Sequence, residues 1–153
     1  MIFKHTNPPF ETKQSIIVAG IQATGKSYLI KMLQKHLDAP LVHREVAELK
    51  GVPIDSIIHW PIAEKDRLAK KVDYKNTGLV LLLNKCWGDY CTNVRRRNSK
   101  KQYSVLGFKE ICGQWTDFFK ERDVPILNVP TNDPNITQLL QQMSDAMKPK
   151  LFL

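Results

Sequence analysis

Short apolar runs alternate along the chain with longer segments in which apolar residues recur every three or four positions. Two of the runs, residues 15–19 and 79–83, are rich in aliphatic side chains and predict buried β-strands. Shorter runs at 41–43 and 125–129 predict further strands, whereas residues 54–59 are ambiguous between strand and helix. The apolar positions therefore divide the chain into several short strands separated by longer elements.

The segments between these runs predict helices. A helical pattern covers residues 26–37, 62–72, 87–97 and 136–147, and a helical turn is expected at 45–50. Another amphipathic helix is indicated by an apolar stripe, formed by Val105, Phe108, Ile111, Trp115 and Phe118. We expect the aromatic side chains of that stripe to lie in the core. Because strands alternate with helices, the pattern predicts an α/β fold with a mostly parallel sheet of about five strands and helices on both faces.

One motif lies between the first predicted strand and the first predicted helix. Residues 20–27 read Gly-Ile-Gln-Ala-Thr-Gly-Lys-Ser and fit G-x-x-x-x-G-K-[ST], the Walker A pattern. The pattern binds phosphate only where a strand precedes it and a helix follows it, and the hydrophobic pattern supplies both. The sequence therefore predicts that this segment, called the phosphate loop below, binds the phosphates of ATP or GTP.

Each fixed position of the phosphate loop has a physical role. Gly20 and Gly25 allow backbone conformations that turn successive N–H groups toward phosphate oxygens. We expect Lys26 to reach the β- and γ-phosphates and Ser27 to offer its hydroxyl to Mg²⁺. The start of the following helix directs its positive end to the same place. The residues expected around the phosphates are Gly20, Gln22, Ala23, Thr24, Gly25, Lys26, Ser27 and Tyr28.

Composition narrows the class of protein. The chain has 153 residues, of which 42% are hydrophobic and 25% charged, which suits a single domain over residues 1–153. No apolar run is long enough to cross a bilayer, and Cys86, Cys91 and Cys112 form no CxxC pair, so a cytoplasmic protein is expected. The formal net charge of +8 favours partners that carry phosphate.

The chain resembles the small P-loop kinases: nucleoside and nucleotide kinases, shikimate- and gluconate-type kinases, and the kinase domain of polynucleotide kinases. The resemblance is carried by the early phosphate loop, by a middle strand leading into a helix that ends in Arg95-Arg96-Arg97, and by residues 128–133 after the last strand. It implies a three-layer P-loop NTPase fold that uses ATP and Mg²⁺. It also implies transfer of the γ-phosphoryl group to a nucleoside, nucleotide or polynucleotide, with residues 128–133 contacting the base.

The resemblance further implies an arginine-bearing lid at about residues 86–103. Arg95, Arg96 and Arg97 would there stabilise the charge that spreads over the transferred phosphoryl group, and Arg97 is assigned a catalytic role. A solvated basic run at the C-terminal end of a helix, favourable with the helix dipole, is the alternative interpretation.

Carboxylates for the site are harder to assign. No predicted strand ends in Asp, the usual metal partner of a Walker A loop, and Asn84 follows the strongest strand instead. Glu45 is the predicted general base, with Arg44 beside it to hold acceptor phosphate. Asp66 and Arg67 form a rival pair that resembles the Asp-Arg of thymidylate-type kinases. For both pairs a surface ion pair is the alternative.

Other functions were weighed against a kinase. Residues 84–87 read Asn-Lys-Cys-Trp and depart from the N-K-x-D guanine motif because the fourth residue is Trp87, which argues against a GTPase. A nucleotide-binding module that holds nucleic acid on a basic face, with weak or no ATPase activity, remains open because the metal-binding Asp is missing. A catalytically degenerate kinase is the third alternative. No pattern identifies the acceptor or the oligomeric state, and no histidine spacing indicates a metal site.

Overall fold

The computed structural model describes residues 15–20, 25–36, 42–45, 49, 56–61, 69–72, 74–96 and 103–147. The strands among them are β1 (Ser15–Gly20), β2 (Val42–Glu45), β3 (Ser56–Pro61), β4 (Thr77–Leu82) and β5 (Ile126–Asn128). The α-helices among them are α1 (Lys26–His36), α2 (Trp87–Arg96), α3 (Val105–Glu121) and α4 (Ile136–Ala146). Two 3₁₀ turns, Ala69–Lys71 and Tyr74–Asn76, precede β4.

The strands form one five-stranded sheet in the order β2-β3-β1-β4-β5, and each neighbouring pair is parallel. The central strand β1 therefore lies between β3 on one side and β4 on the other. Because parallel strands need crossover connections, helices cover the faces of such a sheet. Ligands of open parallel sheets bind beyond the carboxyl ends of the strands, where the strand order reverses. Here that place is the end of β1.

Both faces of the sheet are covered, which gives three layers. Ile16 and Val18 of β1 lie in a core with side chains of α1 and α4. Ile17 and Ala19 lie in a second core on the opposite face, with side chains of α2 and α3. The alternation along β1 follows from the pleat of a strand, whose successive side chains point to opposite faces. The α/β fold class predicted from the sequence is confirmed.

Aromatic side chains fill the core under α3. Trp60 at the end of β3 meets Trp115, Phe118 and Phe119 in edge-to-face contacts with ring centroids 5.6 to 5.7 Å apart. The quadrupoles of the rings favour such contacts, which stabilise the core beyond the burial of apolar area. The prediction that Phe108, Trp115 and Phe118 belong to the core is confirmed, since all three are buried.

Two elements differ from the sequence prediction. The ambiguous region, residues 54–59, overlaps β3, in which Ile57 and Ile58 are both buried because each faces a different core. Glu45 is the last residue of β2, so the helical turn predicted to begin there is wrong at its first residue. Of the helix predicted at 62–72, residues 62–68 lie outside the described part of the chain. No helix among the described residues is long and apolar enough to span a membrane.

Candidate functional site

The phosphate loop joins the central strand to α1. Strand β1 ends at Gly20, and α1 begins at Lys26, directly after Gly25. Gly25 has φ +81°, a conformation that residues with a Cβ rarely adopt. Leu29 N donates to Gly25 O at 3.0 Å, so the first helical hydrogen bond closes on this glycine. Gly25 is therefore the last residue before the helix, and its conformation allows the helix to begin at Lys26.

The start of α1 presents backbone donors at the carboxyl edge of the sheet. The first helical hydrogen bond is made by Leu29, so the backbone N–H groups that precede it lie at the open end of the helix. The side chains of Ser27 and Tyr28 are exposed. Converging N–H groups and the positive end of the helix dipole favour an anion at this point.

Lys26 spans the two ends of the phosphate loop. Its side chain is buried, and Nζ donates to Gly20 O at 2.9 Å. The ammonium group is thus held at the end of β1, beside the donors of the helix start. Gln22, Ala23 and Thr24, which were also predicted to contact phosphate, lie outside the described residues.

A cavity opens beside the phosphate loop, between α1 and the segment that follows β5. Its lining consists of Gly25, Tyr28, Leu29, Lys85, Val129, Asn132 and Pro134. The segment that resembles a base-contacting loop, residues 128–133, therefore contributes directly to a cavity that begins at the last glycine of the motif. Lys85 was not singled out as a ligand from the sequence, because only its place after an apolar strand marks it.

Lys85 brings a buried positive charge to this cavity. Its side chain is 5% exposed, and Nζ donates to the carbonyl oxygen of Thr131. Burial lowers the pKa of Lys85 to about 8, while the nearby carboxylates of Asp89 and Asp133 oppose that shift. Lys85 therefore adds a buried cationic group to the cavity lining.

Polar contacts hold the segment after β5 against α2. Asp89 accepts a hydrogen bond from the backbone N–H of Asn132 at 3.2 Å. The side-chain amides of Asn93 and Asn132 donate to each other, each at 2.9 Å. Helix α2 is itself anchored in the core through Tyr90 and Val94, which are buried. The cavity wall is therefore fixed by a helix of the sheet's opposite face.

The side chain of Asn84 makes its hydrogen bonds within the fold. Its Nδ2 lies 3.3 Å from both Cys112 O and Thr116 Oγ1 of α3. The amide thus ties the end of β4 to α3, on the face away from α1. This position gives a structural role to the first residue of the Asn-Lys-Cys-Trp segment and adds to the sequence argument against guanine recognition.

Glu45 pairs with a histidine that the sequence did not indicate. Glu45 ends β2, and its register partner on β3 is His59. The Nδ1 atom of His59 lies 3.0 Å from Glu45 Oε1 and 2.8 Å from Oε2. His59 is in turn in register with Val18 of β1, whose side chain belongs to the core under α1. The pair therefore lies on the sheet face that carries the helix of the phosphate loop.

Arg44 lies on the other face from Glu45. Its register partner is Ile58, and its Nε donates to Ser56 Oγ at 3.1 Å. The structure thus does not bring Arg44 and Glu45 together, and an acceptor-binding role for Arg44 stays a prediction. Arg95 and Arg96 are exposed in the last turn of α2.

Three other predicted residues have no described position. Asp66, Arg67 and Arg97 lie outside the described residues, as does most of the segment after α2 that was predicted to form the lid. Among the described residues, no group of three or more His, Cys, Asp or Glu side chains could hold a metal ion. The exposed Ser27 hydroxyl at the helix start is an oxygen ligand of the kind that Mg²⁺ prefers.

The chain has a similarity to a solved structure. No family model matches the chain, and no curated protein matches it. One similar solved structure is a deoxyadenosine kinase from M. mycoides with the products dCMP and a flexible dCDP bound. It is 11% identical, with a TM-score of 0.48, over 86% of this chain and 97% of that chain. At this level of similarity the neighbour supports no argument about activity, which must come from the chain's own site.

Proposed function

We propose that the protein is an ATP-dependent phosphotransferase that moves the γ-phosphoryl group to a nucleoside, nucleotide or polynucleotide acceptor. The observation that carries the proposal is the junction of β1 and α1. A Walker A sequence occupies it, Gly25 adopts a left-handed conformation there, and Lys26 is buried at the end of the strand. This junction lies where the strand order of the sheet reverses, the usual ligand position of such folds.

Different groups at the junction bind different parts of a polyphosphate. The N–H groups at the start of α1 donate to its oxygens, and Lys26 places a positive charge at the bridging phosphates. Ser27 holds Mg²⁺, which when bound neutralises charge on the phosphates. Glu45 serves as the general base for the acceptor, and Arg95 and Arg96 at the end of α2 add positive charge.

The cavity beside the phosphate loop is proposed as the place of the nucleoside part of ATP. Gly25 connects it to the phosphate site, and the exposed ring of Tyr28 offers an apolar surface for a base. The buried ammonium of Lys85 faces the same cavity. The lining combines the apolar side chains of Leu29, Val129 and Pro134 with the polar side chain of Asn132.

The proposal is tested by incubating the protein with Mg²⁺, γ-labelled ATP and a set of nucleosides, mononucleotides and DNA ends. We expect labelled product with at least one acceptor. Lys26→Ala should lower transfer by at least about 100-fold, as expected on removal of a charge that stabilises the transition state. Lys31→Ala is the matched control, since Lys31 is an exposed lysine of the same helix. A Lys26→Ala protein with undiminished transfer would refute the proposal.

A second function, a nucleotide-binding module that holds nucleic acid, is favoured by two observations. The net charge is +8, and none of the described residues at the carboxyl ends of β1, β3 and β4 is a carboxylate. A salt titration of oligonucleotide binding separates the two functions. Affinity that falls steeply with salt, without phosphoryl transfer, would favour the module. Absence of binding at low salt would dismiss it.

A further inference from the structure

The carboxylate proposed as general base lies at the end of a short edge strand. Strand β2 has four residues and lies at the edge of the sheet, and Glu45 is its last residue. The Glu45 side chain is 41% exposed. A base must nevertheless lie within hydrogen-bond reach of the proton it removes, and a displacement of about 1 Å costs much of its effect.

His59 is placed to orient this carboxylate. It lies within β3, which is flanked by β1 and β2, and its side chain is only 18% exposed. Both oxygens of Glu45 approach the same nitrogen of His59, at 3.0 and 2.8 Å. An ionised carboxylate only accepts hydrogen bonds, so Nδ1 carries the proton and donates it. The better buried imidazole thus orients the more exposed carboxylate.

The pair also lies on the correct side of the sheet for the proposed reaction. Val18, His59 and Glu45 are register partners across β1, β3 and β2 and so form a row on the face under α1. Neighbouring strands are about 4.8 Å apart, which places the Glu45 position roughly 10 Å to the side of the strand that leads into the phosphate loop. An acceptor molecule fits a span of that size.

We propose that His59 is a positioning residue for phosphoryl transfer, which holds the Glu45 carboxylate toward the acceptor hydroxyl. The inference rests on the proposed function. In the step itself, the Glu45 carboxylate takes the proton of the acceptor hydroxyl, whose oxygen forms a bond to the γ-phosphorus. The bond from that phosphorus to the bridging oxygen breaks, and its electron pair leaves with ADP. His59 keeps its Nδ1 proton throughout and contacts no reacting atom.

The test uses variants that separate orientation from folding. His59→Ala removes the donor, whereas His59→Asn keeps an N–H donor near the position of Nδ1. We expect His59→Ala to lower kcat about 10- to 100-fold, a part of what a general base contributes, while KM for ATP stays within about twofold because the phosphate loop is untouched. His59→Asn should recover most of kcat. His36→Ala is the matched control, because His36 Nδ1 contacts Met32 O at the far end of α1.

A double-mutant cycle decides whether His59 acts through Glu45. In a Glu45→Gln background, His59→Ala should cause no further loss of kcat, since the group that it orients is already gone. Imidazole ¹⁵N resonances provide a readout without turnover: His59 should carry its proton on Nδ1, and its Nδ1 resonance should shift in Glu45→Gln. Unchanged kcat in His59→Ala, an independent loss in the double variant, or a proton on Nε2 alone would each overturn the inference. Wild-type protein that binds ATP but transfers phosphoryl to no acceptor would instead overturn the proposed function, and this inference with it.

Discussion

Gly25 is the residue at which the backbone of the site is most constrained. Its φ of +81° is disfavoured for any residue with a Cβ, although no atom of the described residues lies within 4 Å of an added methyl group. The constraint is therefore conformational and not steric. This distinction allows a substitution to test the loop geometry without filling the ligand site.

Gly25→Ala should lower the free energy of unfolding by about 1–2 kcal/mol, the usual cost of a left-handed alanine, and weaken ATP binding. The measurement is urea denaturation together with equilibrium binding of ATP. Gly113→Ala is the control, because Gly113 lies in the exposed middle of α3 with equally open space. That change should stabilise the protein by up to about 1 kcal/mol. Equal effects of the two changes would contradict the assigned conformation of Gly25.

The lowered pKa of Lys85 makes the unfolding free energy depend on pH. Its pKa is about 8 in the folded chain against 10.5 for an ordinary lysine, because burial disfavours the charged form. Between these two values the unfolded chain binds the proton and the folded chain does not, so the unfolding free energy rises with pH. We expect the unfolding free energy of wild type, relative to that of Lys85→Met, to increase from pH 7.5 to pH 9.5. Urea denaturation at both pH values measures it, and a constant difference would contradict the lowered pKa.

Single residues differ in how well the sequence predicts them. The conformation of Gly25 and the helix start at Lys26 were predictable because the motif ties residue type to a backbone geometry at fixed spacing, whereas the phosphate contacts of Gly20, Gly25, Lys26 and Ser27 stay predictions. His59 was not, since its partner is 14 residues away along the chain and meets it only through strand register. No local pattern encodes such a contact.

Between elements, the clearest polar link is the one from α2 to the segment after β5. The amides of Asn93 and Asn132 exchange two hydrogen bonds of 2.9 Å. This link fixes one wall of the cavity beside the phosphate loop, to which Asn132 contributes. The stability of the wall should therefore depend on a residue of a helix that does not itself line the cavity.

The Asn93 and Asn132 changes to alanine should not be additive. Each alone should destabilise the protein, and a double-mutant cycle should give a coupling of about 1 kcal/mol, as for a typical pair of hydrogen bonds. Asn135→Ala is the control partner for Asn93→Ala, because Asn135 instead caps α4 by accepting from Gln138 N. Thermal or urea denaturation measures all variants. A coupling near zero for Asn93 with Asn132 would show that the amide pair is not formed.

The elements themselves were predicted unevenly for physical reasons. Strands β1 and β4 carry long aliphatic runs, and α3 has a regular apolar stripe, so their patterns were clear. Strand β3 is buried on both faces near its middle, at Ile57 and Ile58, so it lacks the alternation of a half-exposed strand. The residues on either side of these two, Ser56, His59 and Trp60, are polar or aromatic, so the sequence shows no continuous aliphatic run.

For the whole molecule, the class of fold followed from the alternation of strands and helices, but the strand order did not. The order β2-β3-β1-β4-β5 depends on crossovers that no local pattern specifies. That order puts the phosphate loop between two neighbouring strands and brings Glu45 and His59 to the face under α1. The site is thus a product of topology as much as of the motif.

The central claim is that the start of α1 binds the phosphates of a nucleoside triphosphate. The most direct measurement is a titration of the ¹⁵N-labelled protein with Mg²⁺ and ATP, followed through the backbone amide resonances. We expect the amides of Gly25, Lys26 and Ser27 to shift most, and Lys26→Ala to weaken ATP binding while Lys31→Ala leaves it unchanged. Shifts confined to the basic end of α2, with the amides at the start of α1 unmoved, would contradict it.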